Sequence, residues 1–191
     1  MRARTGEDFR WRPRFSLFPD KLKLELPPRA GSVARVDSGK PTTLFYKRSH
    51  FVTHLPVDCL YSRSHFWLAR QPDDTWRIGL TKFATRMLGD MVDHGFETEA
   101  DSPAAVGQII GWVEGFKAIS DVYCVATGTF LGGNPALREK ISLIDKHPYA
   151  AGWLYAVRGA PDEKCLDVHA YREHLDRAID LILSKQKIPE A

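Results

Sequence analysis

Two apolar runs separated by a short polar tip, in the middle of the chain, constrain its fold more than any other feature. The first run is Ile109–Val113 and the second is Ile119–Val125. Runs of this length bounded by turn residues are typical of the two strands of a hairpin. Gly115 lies in the tip and can take a positive φ at low steric cost, as tight hairpin turns often demand. The pattern therefore predicts that Lys117 lies at the tip, with its side chain in water.

The segments on either side of this hairpin contain several short apolar runs with turn residues between them. This pattern predicts a compact domain of many short strands. Strands are expected at Phe66–Arg70, Trp76–Leu80 and Met91–Phe96, with a last strand at Trp153–Val157. Between the second and third of these, Thr81 can cap a short helix over Lys82–Leu88, and Gly89 fits the position just past its end, where a positive φ is common.

An exposed lysine on a turn is ordinarily only a solvated side chain. Here the lysine belongs to an ordered set of residues: Val113, Glu114, Lys117, Ala118, Ser120, Asp121, Tyr123, Thr127 and Gly128. Further blocks keep a matching order on both sides: His65–Leu68, Ile78–Ala84, Leu88–Asp90, Asn134 with Leu137, Pro148 with Tyr149, and Gly152–Leu154. Together the blocks, from Tyr61 to Val157, resemble the glycine cleavage system H protein family, and the hairpin resembles its lipoyl-attachment segment.

The resemblance implies a mainly β fold, a lipoyl-domain-like β-sandwich (barrel-sandwich hybrid) with short helices and an exposed hairpin end. It implies that lipoic acid is joined covalently to Lys117, with Glu114, Gly115 and Asp121 as the other site residues. Glu114 and Asp121 would be the charges read by the lipoylating enzyme and by client enzymes. No metal and no catalytic residue is implied, so the chain would be a carrier rather than an enzyme.

The same resemblance implies partners and a task. The lipoyl arm would shuttle an aminomethyl group or reducing equivalents between glycine decarboxylase, an aminomethyltransferase and lipoamide dehydrogenase. Biotin is the other cofactor carried on such a hairpin, but biotin carriers usually flank the lysine with methionines, whereas Phe116 and Ala118 stand here. Two alternatives stay open: a lipoyl carrier for another pathway such as sulfur oxidation, and an unlipoylated protein-binding module.

Departures from the family pattern suggest an H-like paralogue. Gly115 and Phe116 replace a small polar and aliphatic pair, Cys124-Val125 replaces Ser-Pro, and Ala150-Ala151 replaces Gly-x. Cys124 lies seven residues after Lys117, which raises the hypothesis that its thiol exchanges with the lipoyl sulfurs.

The chain of 191 residues can hold one domain with a sizeable core and appendages. We expect a basic N-terminal extension over 1–60, a carrier domain over 61–158, and a linker with a C-terminal helix over 159–191. The helix would begin after Asp167 and run to Leu183, with its apolar positions on one face. Packing on the domain is the expected use of that face, and binding of a partner is the alternative.

Charge is distributed unevenly, since the first 50 residues carry twelve basic and five acidic side chains, whereas the remainder is net acidic. In residues 1–20 five arginines alternate with aromatic residues, a composition that can bind single-stranded nucleic acid. We expect instead a solvated arm lying over the body, with a docking or targeting arm as further alternatives. The alternating stretch Lys21–Leu26 predicts a half-buried strand.

Composition also bears on compartment and on metals. No apolar run approaches the roughly 20 residues of a membrane helix, and the three cysteines are few, odd in number and far apart. These features favour a reducing, cytoplasmic location. His50, His54 and Cys59 match no trusted zinc spacing, and Cys165 with His169 is a coincidental pair.

Overall fold

The structure is a computed structural model that describes residues 42–186. The predicted strand at Lys21–Leu26 and the arginine-rich arm lie outside this range. In chain order the elements are β1 (Thr43–Arg48), β2 (Phe51–Pro56), β3 (Leu60–Tyr61), β4 (Phe66–Arg70), β5 (Thr75–Leu80), α1 (Lys82–Leu88), β6 (Met91–Phe96), β7 (Pro103–Ala104), β8 (Ile109–Gly115), β9 (Ala118–Tyr123), β10 (Ala126–Gly133), α2 (Ala136–Glu139), α3 (Leu143–Lys146), β11 (Tyr155–Pro161) and α4 (Val168–Gln186).

Two sheets form the body of the domain. One has six strands in the order β3-β4-β5-β11-β10-β7, and the other has three strands in the order β6-β8-β9. A single apolar core lies between them, with Leu68, Ile78 and Val157 from the larger sheet and Ile110 and Val113 from the smaller. This arrangement confirms the predicted mainly β sandwich with short helices.

The smaller sheet is antiparallel throughout and carries the hairpin predicted from the two apolar runs. β6 pairs with β8, and β8 pairs with β9, with one register shift in each pair. Along β8 the residues alternate, so that Val113 and Gly115 are buried while Trp112 and Glu114 are half-buried on the outer face. The small sheet therefore has one buried face and one face towards water, as is common in antiparallel sheets.

A second core joins the two ends of the described chain. The β1–β2 hairpin packs against α4 through Tyr46, Phe51, Tyr171, Leu175 and their neighbours. Outside this core, the Arg48 guanidinium forms ion pairs with Asp176 and Asp180 of α4, at 3.0 and 2.5 Å. The predicted helix after Asp167 is confirmed, with Asp167 Oδ1 accepting from the Ala170 N–H, and its apolar face packs on the domain.

One local prediction is wrong. Residues 159–161 were expected to be a linker, but they continue β11, where Gly159 pairs with Gly128 and Pro161 with Ala126. Glycine and proline signal loops because they weaken strands in isolation, yet here the neighbouring strand supplies the pairing. Of the described helices, none is long and apolar enough to cross a membrane.

Candidate functional site

A two-residue turn, Phe116-Lys117, joins β8 to β9, and Gly115 pairs with Ala118 across its base. Lys117 is exposed, as predicted. Among the described residues, no hydrogen bond or ion pair engages its amine. The side chain therefore projects from the end of a rigid sheet with its nitrogen accessible.

The backbone of the turn is held against the end of α1. The Lys117 N–H donates to the Leu88 carbonyl at 2.9 Å, and the Phe116 N–H donates to the Asp90 carbonyl at 2.8 Å. Leu88 is the last residue of α1, and its side chain is buried in the main core. Because both turn amides are bound to a segment anchored in the core, the position of the Lys117 backbone is fixed.

Gly115 does not have the positive φ that the sequence predicted, since it is a strand residue with ordinary backbone geometry. Its role is to leave space: a Cβ at this position would lie 2.4 Å from the Leu88 carbonyl oxygen. The positive φ belongs to Gly89, at 84°, as predicted for the residue past the helix end. A Cβ on Gly89 would meet the Lys117 Cγ at 3.1 Å, so both glycines let the turn approach α1.

The two acidic site residues lie at different depths along the hairpin. Glu114 is opposite Ile119 in the pair of residues next to the base of the turn, and Asp121 is opposite Trp112. Asp121 is two positions after Ile119 along β9, which places it about 7 Å farther from the tip. Glu114 therefore borders the lysine, whereas Asp121 lies farther down the same outer face.

Cys124 cannot serve as a partner thiol, so the exchange hypothesis is wrong. It lies beyond the far end of β9 from the tip, only 1% exposed, and its Sγ donates to the Ala126 carbonyl. Burial raises the pKa of the Cys124 thiol. Burial also raises the pKa of Cys59 and of Cys165 to about 12, and thiols that stay protonated are poor nucleophiles.

Within residues 42–186, no group of three or more histidine, cysteine or acidic side chains could hold a metal ion. His54 is exposed whereas Cys59 is buried. Cys165 precedes α4, which begins at Val168, so Cys165 and His169 are not one helical turn apart.

A buried polar chain joins α4 to the domain, and the sequence did not predict it. Tyr171 donates its hydroxyl proton to Thr81 Oγ1 at 3.0 Å. Because that proton is already used, the Tyr171 oxygen accepts from the His65 Nδ1–H, at 2.9 Å. The pKa of His65 is lowered to about 3, mainly by burial and to a smaller extent by the nearby His174. His65 matches the opening block of the H-protein pattern, which is the signal that could have marked it, but its partner lies 106 residues away.

Comparisons with known proteins agree with this geometry. The family model described as glycine cleavage H-protein matches residues 59–177. The glycine cleavage system H proteins of Citrobacter koseri and of Escherichia coli O45:K1 are each 31% identical over 128 residues, covering 65% of this chain and 98% of theirs. This chain belongs to the glycine cleavage H-protein family. The solved structure of a glycine cleavage system H protein from Mycobacterium marinum matches with a TM-score of 0.58 and 31% identity, over 64% of this chain and 99% of that one.

Glycine cleavage H proteins carry lipoic acid covalently on a lysine and have no catalytic activity of their own. They act with the other proteins of the glycine cleavage system. The chain is accordingly a lipoyl carrier, and the alternative of an unlipoylated binding module is not favoured. The exposed amine of Lys117, on a backbone held by the end of α1, fits a group that must be attached from solvent and must reach other proteins.

Proposed function

We propose that Lys117 is the lipoyl-attachment residue of this H protein. The observation that carries the proposal is an exposed lysine at a two-residue turn, whose backbone is bound to Leu88 and Asp90. Attachment requires the amine to reach an activated carboxyl group on another protein, and exposure permits that approach. When bound, the lipoyl group supplies a dithiolane that cycles between disulfide and dithiol.

The residues around the lysine have separate tasks in this proposal. Gly115 leaves the space that lets the turn bind the end of α1. Glu114 places a negative charge beside the lysine, and Asp121 places another farther down the hairpin. These two carboxylates are marks for the lipoylating enzyme and for client proteins, because charge complementarity selects partners and orients them before contact.

We further propose that the clients are glycine decarboxylase, an aminomethyltransferase and lipoamide dehydrogenase, and that the arm shuttles an aminomethyl group and reducing equivalents among them in the cytoplasm. Membership of the family supports this assignment. A fixed backbone at Lys117 with a long mobile arm suits a carrier that serves several enzymes in turn.

The three-part organisation of the chain also stands as a proposal: an extension over 1–60, a carrier domain over 61–158 and a C-terminal part over 159–191. The family model begins at residue 59, which supports the boundary near 60. It continues to residue 177, so much of α4 lies in the region shared with the family, and the second core joins α4 and the β1–β2 hairpin to Tyr61, Trp67 and Phe83 of the carrier domain. Because β11 runs on to Pro161, the connection to α4 consists only of the few residues after it.

Substitution of Lys117 tests the attachment site. The unaltered chain, Lys117→Arg and the control Lys47→Arg, an exposed lysine of β1, are produced in cells that lipoylate their own carriers. We expect a lipoyl group on the unaltered chain and on the control but not on Lys117→Arg, as measured by intact mass. A lipoyl group that persists on Lys117→Arg would reject the site.

A further inference from the structure

Phe116 presents a large apolar side chain to water beside the proposed attachment lysine. It is 86% exposed, more than any other large apolar residue in the described part of the chain. Single exposed apolar residues are common on protein surfaces. This one differs because its backbone N–H is bound to the Asp90 carbonyl at 2.8 Å, so the ring extends from a fixed point.

Two more exposed apolar residues lie at the same end of the small sheet. Val92 is 51% exposed and Ile119 is 45% exposed. Val92 lies at the β6 bulge, where Met91 pairs with Gly115, and Ile119 is one residue pair from the turn. We call Val92, Phe116 and Ile119 the tip surface: Phe116 is in the turn, and Val92 and Ile119 each follow a residue that pairs with Gly115 at its base. Clustered apolar residues of this kind mark places where another molecule is bound.

Acidic residues lie close to the tip surface. Asp90 lies at the turn, where its carbonyl accepts from the Phe116 N–H. Asp93 and Glu114 are cross-strand partners next to the turn. A protein that covers the tip surface must therefore offer an apolar pocket and positive charge around it, since unlike charges steer association and like charges oppose it.

The position of Phe116 next to Lys117 indicates which protein covers the tip surface. A client enzyme reacts with the far end of the lipoyl arm, so its reacting groups need not approach Phe116 even if its surface reads Glu114. The attaching enzyme must bring an activated lipoyl carboxyl to Lys117 Nζ: the new amide N–C bond forms as the bond from the carbonyl carbon to its leaving group breaks, and the amine gives up a proton. No oxidation state changes. That enzyme must contact the residue next to the lysine.

We infer that Phe116 inserts into an apolar pocket, rimmed by lysine or arginine side chains, on the enzyme that attaches the lipoyl group. The inference rests on the proposed function of Lys117. A phenylalanine side chain on a fixed backbone has only two side-chain torsions to lose on binding, so burying it contributes to affinity at small entropic cost.

The test measures lipoyl attachment directly. The lipoate-attaching enzyme of the source organism is purified and supplied with lipoic acid and ATP, and initial rates of mass gain are recorded over a range of carrier concentrations. The carriers are the unaltered chain, Phe116→Ser, Phe116→Val and the control Phe45→Ser, which removes a ring that is 58% exposed on β1. Each variant is checked for an unchanged thermal midpoint.

Loss of the Phe116 ring is expected to raise KM about 10- to 100-fold, because burying a phenylalanine contributes most of its transfer free energy to binding. The value of kcat stays within about two-fold, since the ring does not touch the reacting atoms. Phe116→Val gives an intermediate KM, and Phe45→Ser leaves it unchanged. Added salt raises the KM of the unaltered chain, as expected for a basic rim against an acidic surface.

Two results would overturn the inference, and they are distinguishable. If the unaltered chain gains a lipoyl group on Lys117 and Phe116→Ser has the same KM, the inference fails and the attachment site stands. If the unaltered chain gains no lipoyl group, the proposed function fails and the inference falls with it.

Discussion

Residue 115 must be glycine because there is no space for a side chain. A Cβ would lie 2.4 Å from the Leu88 carbonyl oxygen, which also accepts the Lys117 N–H. Gly115→Ala must push the turn away from α1 and lengthen that hydrogen bond. We expect a loss of about 1–3 kcal/mol in the free energy of unfolding, measured by urea denaturation, and faster amide exchange at Lys117.

The neighbouring variant Phe116→Ala is the control for this prediction, because its side chain is exposed and lies on the same turn. It should change stability by no more than about 0.5 kcal/mol. A Gly115→Ala variant as stable as Phe116→Ala, with unchanged exchange at Lys117, would show that the close approach to Leu88 is not required.

The cysteines give a second prediction at the scale of residues. Burial raises the pKa of all three thiols, to about 12 for Cys59 and Cys165. The native protein at neutral pH should therefore resist iodoacetamide, and the same protein in denaturant should gain three alkyl groups by intact mass. Rapid alkylation of native Cys124 would contradict its burial.

At the scale of elements, the chain from His65 to Tyr171 to Thr81 makes the attachment of α4 sensitive to pH. Because burial lowers the pKa of His65 to about 3 from its ordinary value of about 6.5, the folded protein holds this histidine neutral. Its contribution to stability is complete above pH 6.5 and declines as the pH falls toward 3. Between pH 7.5 and pH 5 the free energy of unfolding should fall by about 2 kcal/mol through this residue.

His65→Asn separates this effect from the titration of carboxylates. Asparagine tolerates the positive φ of 64° at this position and does not titrate. Urea unfolding at the two pH values should give a smaller difference for the variant than for the unaltered chain. Equal differences would exclude His65 as the source.

How far the elements could be predicted depended on the range of the interactions that form them. The hairpin and the helix Lys82–Leu88 were predictable because apolar runs bounded by turn residues and the Thr81 cap are local signals. The last three residues of β11 were not, because Gly159 and Pro161 weaken a strand by themselves and are held by Ala126–Gly128 of β10. The contact of His65 with Tyr171 joins residues too distant in sequence for any local pattern to reveal.

The same distinction holds within the site. Lys117, Glu114 and Asp121 were identified by resemblance, and exposure of the lysine followed from the turn. The conformation of Gly115 was predicted wrongly because a glycine at a hairpin tip usually supplies a positive φ. The need for space came instead from α1, which no pattern in the hairpin itself encodes.

In the molecule as a whole, the two cores support different parts of the chain. The main core fixes the hairpin that bears Lys117, and the second core attaches α4 and the β1–β2 hairpin. Leu175→Ala leaves a cavity in the second core and should cost about 2–5 kcal/mol in the free energy of unfolding. The control Arg172→Ala, on the exposed face of α4, should cost little.

Because Leu175 does not contact the hairpin, Leu175→Ala protein that remains folded should still accept a lipoyl group, as judged by intact mass in lipoylating cells. Loss of lipoylation in folded Leu175→Ala protein would mean that the second core takes part in presenting Lys117.

The most direct test of the account is the state of Lys117 in the protein purified from its native source. Intact mass with peptide mapping of residues 114–121 would locate any attached group. The account predicts a lipoyl group on Lys117 and on no other lysine. An unmodified Lys117, in cells whose other carriers are lipoylated, would contradict it.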